Sequence, residues 1–301
     1  MRFMKENNMK VLIIGCSGML GHITYFRLKE LHPDWKIEGI IRKENDKFKN
    51  AIVMDLNNFD SLKNVINRNY DVIINTAAIL VSGSNDGKCE AIRINSELPN
   101  FIAENKNQNT KFIHISTNTL FNSNNSNELF DEVNSIDTLP TRFYDQTKFL
   151  GEIKNGNNCV TLRTSIIGLE MGNNSRSLLN WFLNSKEIEG YTKAMWNGVT
   201  NLELCNCINS IIENNFEGVI HCSSTTITSK AELLNIFNNL LRFPKIINNV
   251  EKSGQTGLLK SIHSFANVEK SYKEQFVELL DWVDSHSKIY DDRYLYLKKE
   301  N

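Results

Sequence analysis

Short aliphatic runs recur along the chain at 10–14, 36–41, 51–54, 71–75, 111–116, 159–163 and 218–222, and helical stretches fill most of the gaps between them. The runs are continuous rather than alternating. A strand that is apolar on both faces needs cover on both, so this rhythm predicts an α/β chain: a doubly wound parallel sheet with helices on each side. Ligands of such sheets bind beyond the carboxyl ends of the strands, so the residues just after each run are the candidates for chemistry.

After Gly168 the alternation loosens. Helical patterns remain at 177–185, 201–213 and 230–241, and the last one, at 274–283, puts Phe276, Leu279, Leu280 and Val283 on one face. The expected organisation is a nucleotide-binding domain over 9–168 and a smaller, discontinuous C-terminal substrate lobe over 169–200 and 226–301. Residues 201–225 read as a helix and a strand that return to the main sheet.

The 301 residues carry a net charge of −1, with 41% hydrophobic and 23% charged positions, which is ordinary for a globular chain. No basic excess points to nucleic acid or to a membrane surface, so neither is expected as a partner. Asparagine is unusually frequent, with 42 residues, and clusters at 122–127 and 155–158, read as solvated loops. The six cysteines have no paired metal-ligand spacing; Cys205 and Cys207 lie in a helical pattern where positions two apart face away from each other. No metal is expected, and a reduced, cytoplasmic setting is the simple reading. Arg2, Lys5 and Lys10 before the first run imitate a secretory leader, but glycines interrupt the apolar stretch, which reads as a first strand.

That first run ends in Gly15-Cys16-Ser17-Gly18-Met19-Leu20-Gly21. Glycines at this spacing, between a strand and a helix, let backbone amides approach a phosphate beside the positive end of the helix. Gly15, Ser17, Gly18, Met19, Leu20 and Gly21 are therefore candidate cofactor residues of a Rossmann-like domain. The second run is followed by Arg42 and Lys43, cations suited to a 2′-phosphate, so NADPH is the expected coenzyme with NADH as the alternative.

Tyr-x-x-x-Lys occurs three times, at Tyr25 and Lys29, Tyr144 and Lys148, and Tyr294 and Lys298. Only Tyr144 follows a strand ending in hydroxyls, Ser116 and Thr117, so the other two pairs are read as structural. Residues four apart share a helix face, so the Lys148 ammonium is expected near the Tyr144 phenol, drawing its pKa down from about 10 toward working pH. Tyr144, Lys148, Thr117 and Ser116 are the catalytic candidates.

Several further residues carry a resemblance. They are Asp55-Leu56, Asn75 to Ala78, Ile94-Asn95 with Pro99, His114 to Thr117 with Leu120-Phe121, Glu132, Tyr144 to Glu152 and Leu162 to Ser165, continuous with the glycine loop. Together they resemble an extended short-chain dehydrogenase/reductase, and within it the dTDP-4-dehydrorhamnose reductases and related nucleotide-sugar 4-ketoreductases. The resemblance implies that Thr117, with Ser116, holds the substrate carbonyl, that Tyr144 donates a proton and that Lys148 also holds the nicotinamide ribose. It places Asp55 and Leu56 near the adenine, and Ala77, Ala78 and Asn95 along the cofactor cleft. The partner implied is a dTDP-, UDP- or GDP-linked sugar, with a homodimer as the oligomeric expectation. Asn118, Arg176, Trp181 and Trp196 are substrate candidates.

Two departures stand out. Asn118 replaces an Asp common after Ser-Thr, and Asp145 replaces a Gly common after the Tyr, where an adjacent helix residue is expected to face elsewhere. Competing readings are a 4,6-dehydratase, disfavoured because Asn118 and Thr119 stand in place of Asp-Glu, a 4-epimerase, and a non-catalytic regulatory subunit.

Overall fold

The aliphatic runs become strands, shortened or lengthened by a residue or two where pairing dictates. The structure is a computed structural model that describes residues 8–121, 128–136, 138–154, 156–172, 177–254, 257–290, 292–294 and 297–299. Through the first half the elements are β1 (Lys10–Ile14), α1 (Met19–Leu31), β2 (Lys36–Ile41), β3 (Ile52–Val53), α2 (Phe59–Ile66), β4 (Val72–Asn75), α3 (Val81–Asp86), α4 (Lys88–Ile92), α5 (Leu98–Asn105) and β5 (Lys111–Ile115). Next come β6 (Leu129–Phe130), α6 (Phe143–Leu150), β7 (Cys159–Thr164), β8 (Ile166–Ile167), α7 (Leu178–Asn184), β9 (Glu189–Lys193), β10 (Met195–Trp196), β11 (Val199–Thr200) and α8 (Asn201–Glu213). The chain ends with β12 (Gly218–Ser224), β13 (Thr228–Ser229), α9 (Lys230–Asn239), β14 (Asn248–Ser253), β15 (Leu258–Leu259), β16 (Asn267–Val268) and α10 (Tyr272–Ser285).

Two compact units result, one of Met1–Leu120, Asp137–Arg163 and Cys205–Ile220, the other of Phe121–Ile136, Thr164–Leu204 and His221–Asn301. In the first, the strands run in the order β3-β2-β1-β4-β5-β7, with β12 starting beside β7. The six are paired in parallel throughout, Val11 lying between Ile37 and Val72 and Ile13 between Gly39 and Ile74. Leu12, Ile14, Ile40, Ile73 and Phe112 from the strands close on Leu62, Val65 and Ile66 of α2 and Leu98 and Ile102 of α5 in one core. The chain winds one way from β1 to β3 and the other from β4 to β7. Right-handed crossovers then place helices on opposite faces and open a crevice at the carboxyl ends of β1 and β4.

One helical irregularity positions the later chemistry. Between α4 and α5 lies a π-helical turn, Arg93–Glu97. Pro99 has no N–H to return to the Asn95 carbonyl four residues back, and the ladder widens there. Gly151, at the end of α6, lies so close to that carbonyl that a Cβ would overlap it. Asn95 Nδ2 donates to Thr147 Oγ1 (3.0 Å), Ser96 Oγ to Thr147 O (2.8 Å) and Asn100 Nδ2 to Leu150 O (2.9 Å), so the turn clamps α6 along its length.

The abundant asparagines have a backbone use as well. All six non-glycine residues with positive φ among those described, Asn8, Asn50, Asn69, Asn157, Asn158 and Asn215, are asparagines, the residue type besides glycine that best tolerates the left-handed region.

In the second unit the end of β12 pairs with β16, and four two-stranded pieces, β6/β15, β8/β11, β9/β14 and β10/β13, accompany helices α7, α9 and α10. Phe276, Leu279, Leu280 and Val283 of α10 are all buried, as their spacing predicts, and Phe237 of α9 meets Phe276 at 5.1 Å. Among the described residues no helix is long and apolar enough to cross a membrane.

Candidate active site

At the end of β1 the chain turns through Gly15 at φ +78, and a Cβ there would stand 2.9 Å from the Cα and N of Ala77. The loops after β1 and β4 thus meet at the switch point, and only glycine permits it. Gly21, in the first turn of α1, leaves no room for a side chain against the Gly15 carbonyl. Gly18 is the helix N-cap, its amide donating to Gly15 O (3.0 Å), and no side chain caps the helix or places an acid in its first turn. Ser17 and Gly18 are exposed, Met19 half-buried and Leu20 buried. A helix N-terminus with no side-chain cap, behind a loop whose first and last residues are glycines, fits a pyrophosphate.

Arg42 and Lys43 are exposed just beyond β2. Asp55 accepts the Asn57 amide and side chain (3.0 and 2.9 Å); those bonds, with the Arg42 and Arg93 charges, hold its carboxyl below the ordinary range. Asp55, Asn57, Asn58, Phe59, Asp60 and Arg93 line a surface cleft of about 490 Å³. The Arg93 guanidinium lies 4.5 Å above the Phe59 ring and donates to Asn57 O (2.8 Å), making a flat cationic wall. Arg93 and Phe59 were missed in the sequence, where 34 residues separate them from any obvious pairing. Leu56, Ala77 and Ala78 are half-buried beside these loops. Asn95 is fully buried, and its amide is used by Ile79 N, Ile79 O and Thr147.

The chemistry-bearing side chains converge where β5 ends and α6 begins. Ser116, Thr117 and Asn118 are buried there, and Ser116 Oγ donates to Glu152 Oε1 (2.8 Å). Glu152 also receives Arg163 Nε and Nη2, each at 2.8 Å, in an ion pair almost without solvent. Thr117 hydrogen-bonds the Tyr144 phenol and lies 2.9 Å from Thr119 Oγ1. His114, fully buried, takes a hydrogen bond from the Asn75 amide on Nδ1 (3.2 Å), and burial holds its pKa well below the ordinary value.

Two expectations need correction. The Lys148 ammonium donates to the Ile115 carbonyl (2.6 Å), and the Tyr144 phenol is not drawn down. Burial pushes Tyr144 up to about 12, with the Asp145 carboxylate adding to the rise and the Arg142 guanidinium and the Thr117 hydrogen bond opposing it. Burial also brings Lys148 down to about 8, with Glu152 pulling the other way. Asp145, expected to face elsewhere, is buried: Arg142 Nε and Nη2 grip it at 2.7 and 2.9 Å, and Thr119 Oγ1 donates to it at 2.5 Å. The direct tyrosine–lysine contact occurs at the pair read as structural, where Lys29 Nζ donates to the buried Tyr25 hydroxyl at 2.6 Å.

Of the substrate candidates in the second unit, Trp196 is buried, donates to Ser165 Oγ (2.7 Å) and packs on Tyr272 at 5.5 Å, while Trp181 is half-buried on α7. Arg176 and the asparagines at 122–127 lie outside the described residues.

Comparison with known proteins adds three findings. The sequence profile of a family described as "RmlD substrate binding domain" matches residues 9–294. No curated protein sequence matches the chain. Similar solved structures include a dTDP-4-dehydrorhamnose reductase from Yersinia enterocolitica, at 19% identity, covering 90% of this chain and 98% of that one with a TM-score of 0.69. Another, from Bacillus anthracis in complex with NADP, is 20% identical over 91% and 99% of the two chains, with a TM-score of 0.72. A UDP-Glc/GlcNAc 4-epimerase from Campylobacter jejuni is 15% identical over 91% and 99%, with a TM-score of 0.67. At these identities the likeness establishes the fold.

Proposed function

Because the chain belongs to the RmlD substrate binding domain family, we propose that it is an oxidoreductase that reduces the 4-keto group of a nucleotide-linked deoxysugar with NADPH, NADH being the alternative. The dinucleotide would be held along Gly15 to Gly21, a turn too tight for a Cβ at Gly15 or Gly21, with Arg42 and Lys43, exposed just beyond β2, to meet the 2′-phosphate. When bound it supplies the hydride. The B. anthracis relative in complex with NADP supports the coenzyme assignment.

One observation carries the proposal: Tyr144, Thr117 and Lys148 meet at the carboxyl end of β5, in the unit that also holds the glycine loop. As hydride arrives at the sugar C4, the carbonyl oxygen gains negative charge and needs a proton. Tyr144 is protonated at every working pH and provides it. The buried Lys148 ammonium supplies positive field to the same region, where low polarity enlarges its effect. Ser116 is a support, because its proton is committed to Glu152. Asp55 and the Arg93–Phe59 wall form the adenine side. The substrate is a dTDP-, UDP- or GDP-linked sugar and the setting cytoplasmic, at a late step toward a surface polysaccharide.

The test is NADPH oxidation, followed by absorbance, with enzymatically prepared dTDP-, UDP- and GDP-4-keto-6-deoxy sugars. Consumption with one of them is the expected result. Binding of NADPH with no oxidation across the panel would overturn the reading in favour of the regulatory subunit, and interconversion of C4 epimers without net NADPH loss would favour the epimerase.

A further inference from the structure

The Tyr25–Lys29 pair takes no part in the proposed chemistry, and what it touches is the connection from β2 to β3. Ile40 pairs with Ile52 and Ile41 with Val53, so the connection leaves the sheet at Arg42 and returns at Ala51. Phe48, 3% exposed, is its buried residue; the others are exposed or half-buried, with Arg42 and Lys43 among the exposed. Two turns meet at Phe48, its amide donating to Asn45 O (3.0 Å) and its carbonyl accepting the Ala51 amide (3.2 Å). The Phe48 ring stands edge-on to Tyr25 at 5.1 Å and lies 5.4 Å from Phe26, and both partners are on α1. Beside it the Tyr25 hydroxyl donates to Lys49 O (3.3 Å) and accepts from the Lys29 ammonium (2.6 Å), which also lies 3.9 Å from the ring centre. The same loop reaches the first turn of α1. Burial lowers His22 there to about 4, the Gly18 carbonyl opposing the fall and the Lys47 charge adding to it.

We propose that Tyr25 and Phe48 are positioning residues for the choice of coenzyme, latching the loop that carries Arg42 and Lys43 onto the helix that follows the glycine loop. The inference rests on the NADPH reading and deepens it. A cation on an unanchored loop must give up backbone and side-chain freedom before it can grip a phosphate, which weakens its binding. Here the loop is fixed at three points: the sheet at its base, the aromatic contact at Phe48 and the tyrosine bond at Lys49. The last two tie it to α1, the helix whose uncapped N-terminus fits the pyrophosphate. The spacing between pyrophosphate and 2′-phosphate sites is therefore set before a coenzyme enters. NADH has no 2′-phosphate and makes no use of these cations, so the latch acts on selectivity and not on dinucleotide binding as a whole. Lys29 supports it from behind, its ammonium occupying the phenol oxygen while the phenol proton goes to the loop.

The test measures Kd for NADPH and for NADH on the full chain by titration calorimetry, in the wild type and in Phe48→Ala, Phe48→Leu and Tyr25→Phe. Phe48→Ala should weaken NADPH by about tenfold, the scale of ordering one or two mobile side chains, and leave NADH within about twofold. Phe48→Leu keeps an apolar plug and should restore most of the NADPH affinity. Tyr25→Phe keeps the ring against Phe48 and loses the hydroxyl alone, so it reads the latch even if Phe48→Ala folds poorly. It should weaken NADPH by about threefold, the scale of one lost hydrogen bond, with NADH unchanged. NADPH bound by Tyr25→Phe and Phe48→Ala as tightly as by the wild type, or NADH weakened as much as NADPH, would overturn the proposal. Arg42→Ala with Lys43→Ala separates the two possible failures. NADPH weakened by that double variant and by neither latch variant would reject the latch and keep the coenzyme reading; NADPH indifferent to the double variant would reject the coenzyme reading itself.

Discussion

Replacing Lys148 by methionine should change how folding stability depends on pH. Lys148 is 2% exposed, and burial lowers its pKa from 10.5 to about 8. Below pH 8 the side chain is charged in both the folded and the unfolded chain, and the full cost of burying the charge is present. Between about 8 and 10.5 the unfolded chain still holds a proton that the folded one has released, so stability rises with pH; above 10.5 the cost is gone. The interval corresponds to roughly 3 kcal/mol, at about 1.4 kcal/mol for each pH unit. Lys148→Met removes that slope. It also removes the 2.6 Å bond to Ile115 O, a loss of roughly 1.5–3 kcal/mol that offsets much of the gain at neutral pH. The diagnostic quantity is therefore the stability of the wild type minus that of the variant, measured by urea unfolding at intervals from pH 7 to 10. Groups titrating alike in both proteins cancel. The difference should climb with pH above 8, and two parallel curves would show that the folded lysine has an ordinary proton affinity.

Tyr144→Phe should leave NADPH affinity nearly unchanged and lower turnover by roughly 10² to 10⁴, the range for a lost positioned acid; a fully active variant would remove the phenol from the mechanism. Arg42→Ala with Lys43→Ala should raise KM for NADPH and leave KM for NADH in place, and equal changes for both would reject the 2′-phosphate assignment. Glu152→Ala should cost roughly 3–5 kcal/mol in urea unfolding, because it strands Arg163 with 5% of its side chain exposed. Changing both partners to apolar residues should recover most of that, and a single variant within 1 kcal/mol of the wild type would refute it.

The parallel sheet was legible because strands buried on both faces are rich in aliphatic residues: β1 and β4 are aliphatic but for Lys10 and Asn75, and β2 and β5 keep Ile37, Ile40, Ile41, Ile113 and Ile115 around their polar positions. The glycine loop was legible because Gly15 and Gly21 occupy places no side chain can. Tyr144, Thr117 and Lys148 could be picked from three matching motifs by their order along the sheet alone. Their mutual arrangement could not. Four-residue spacing puts two side chains on one face, but a backbone carbonyl at Ile115 captures the Lys148 ammonium. Asp145 carried a faint signal, an arginine three residues earlier at the cap of its helix, yet it also bonds Thr119, 26 residues away on another element. Glu152 and Arg163 meet across a helix-to-strand connection, with only the place of β7 inside the sheet to suggest that the arginine would be buried.

The buried Arg163–Glu152 pair and the Arg142–Asp145 pair, in which only the carboxylate is buried, share a logic that energetics alone would not explain. Removing the Glu152 carboxylate and the Arg163 guanidinium from water costs about as much as their attraction returns, so that pair adds little net stability. Here each carboxylate also fixes one hydroxyl at the end of β5: Glu152 takes the Ser116 proton, and Asp145 takes the Thr119 proton. Arg163 and Arg142 each pair with one of these carboxylates. Hydroxyl protons rotate freely unless a neighbour of fixed polarity orients them. At this site both neighbours are anchored by guanidinium groups, so the directions of the Ser116 and Thr119 hydroxyls are set before a ketone enters.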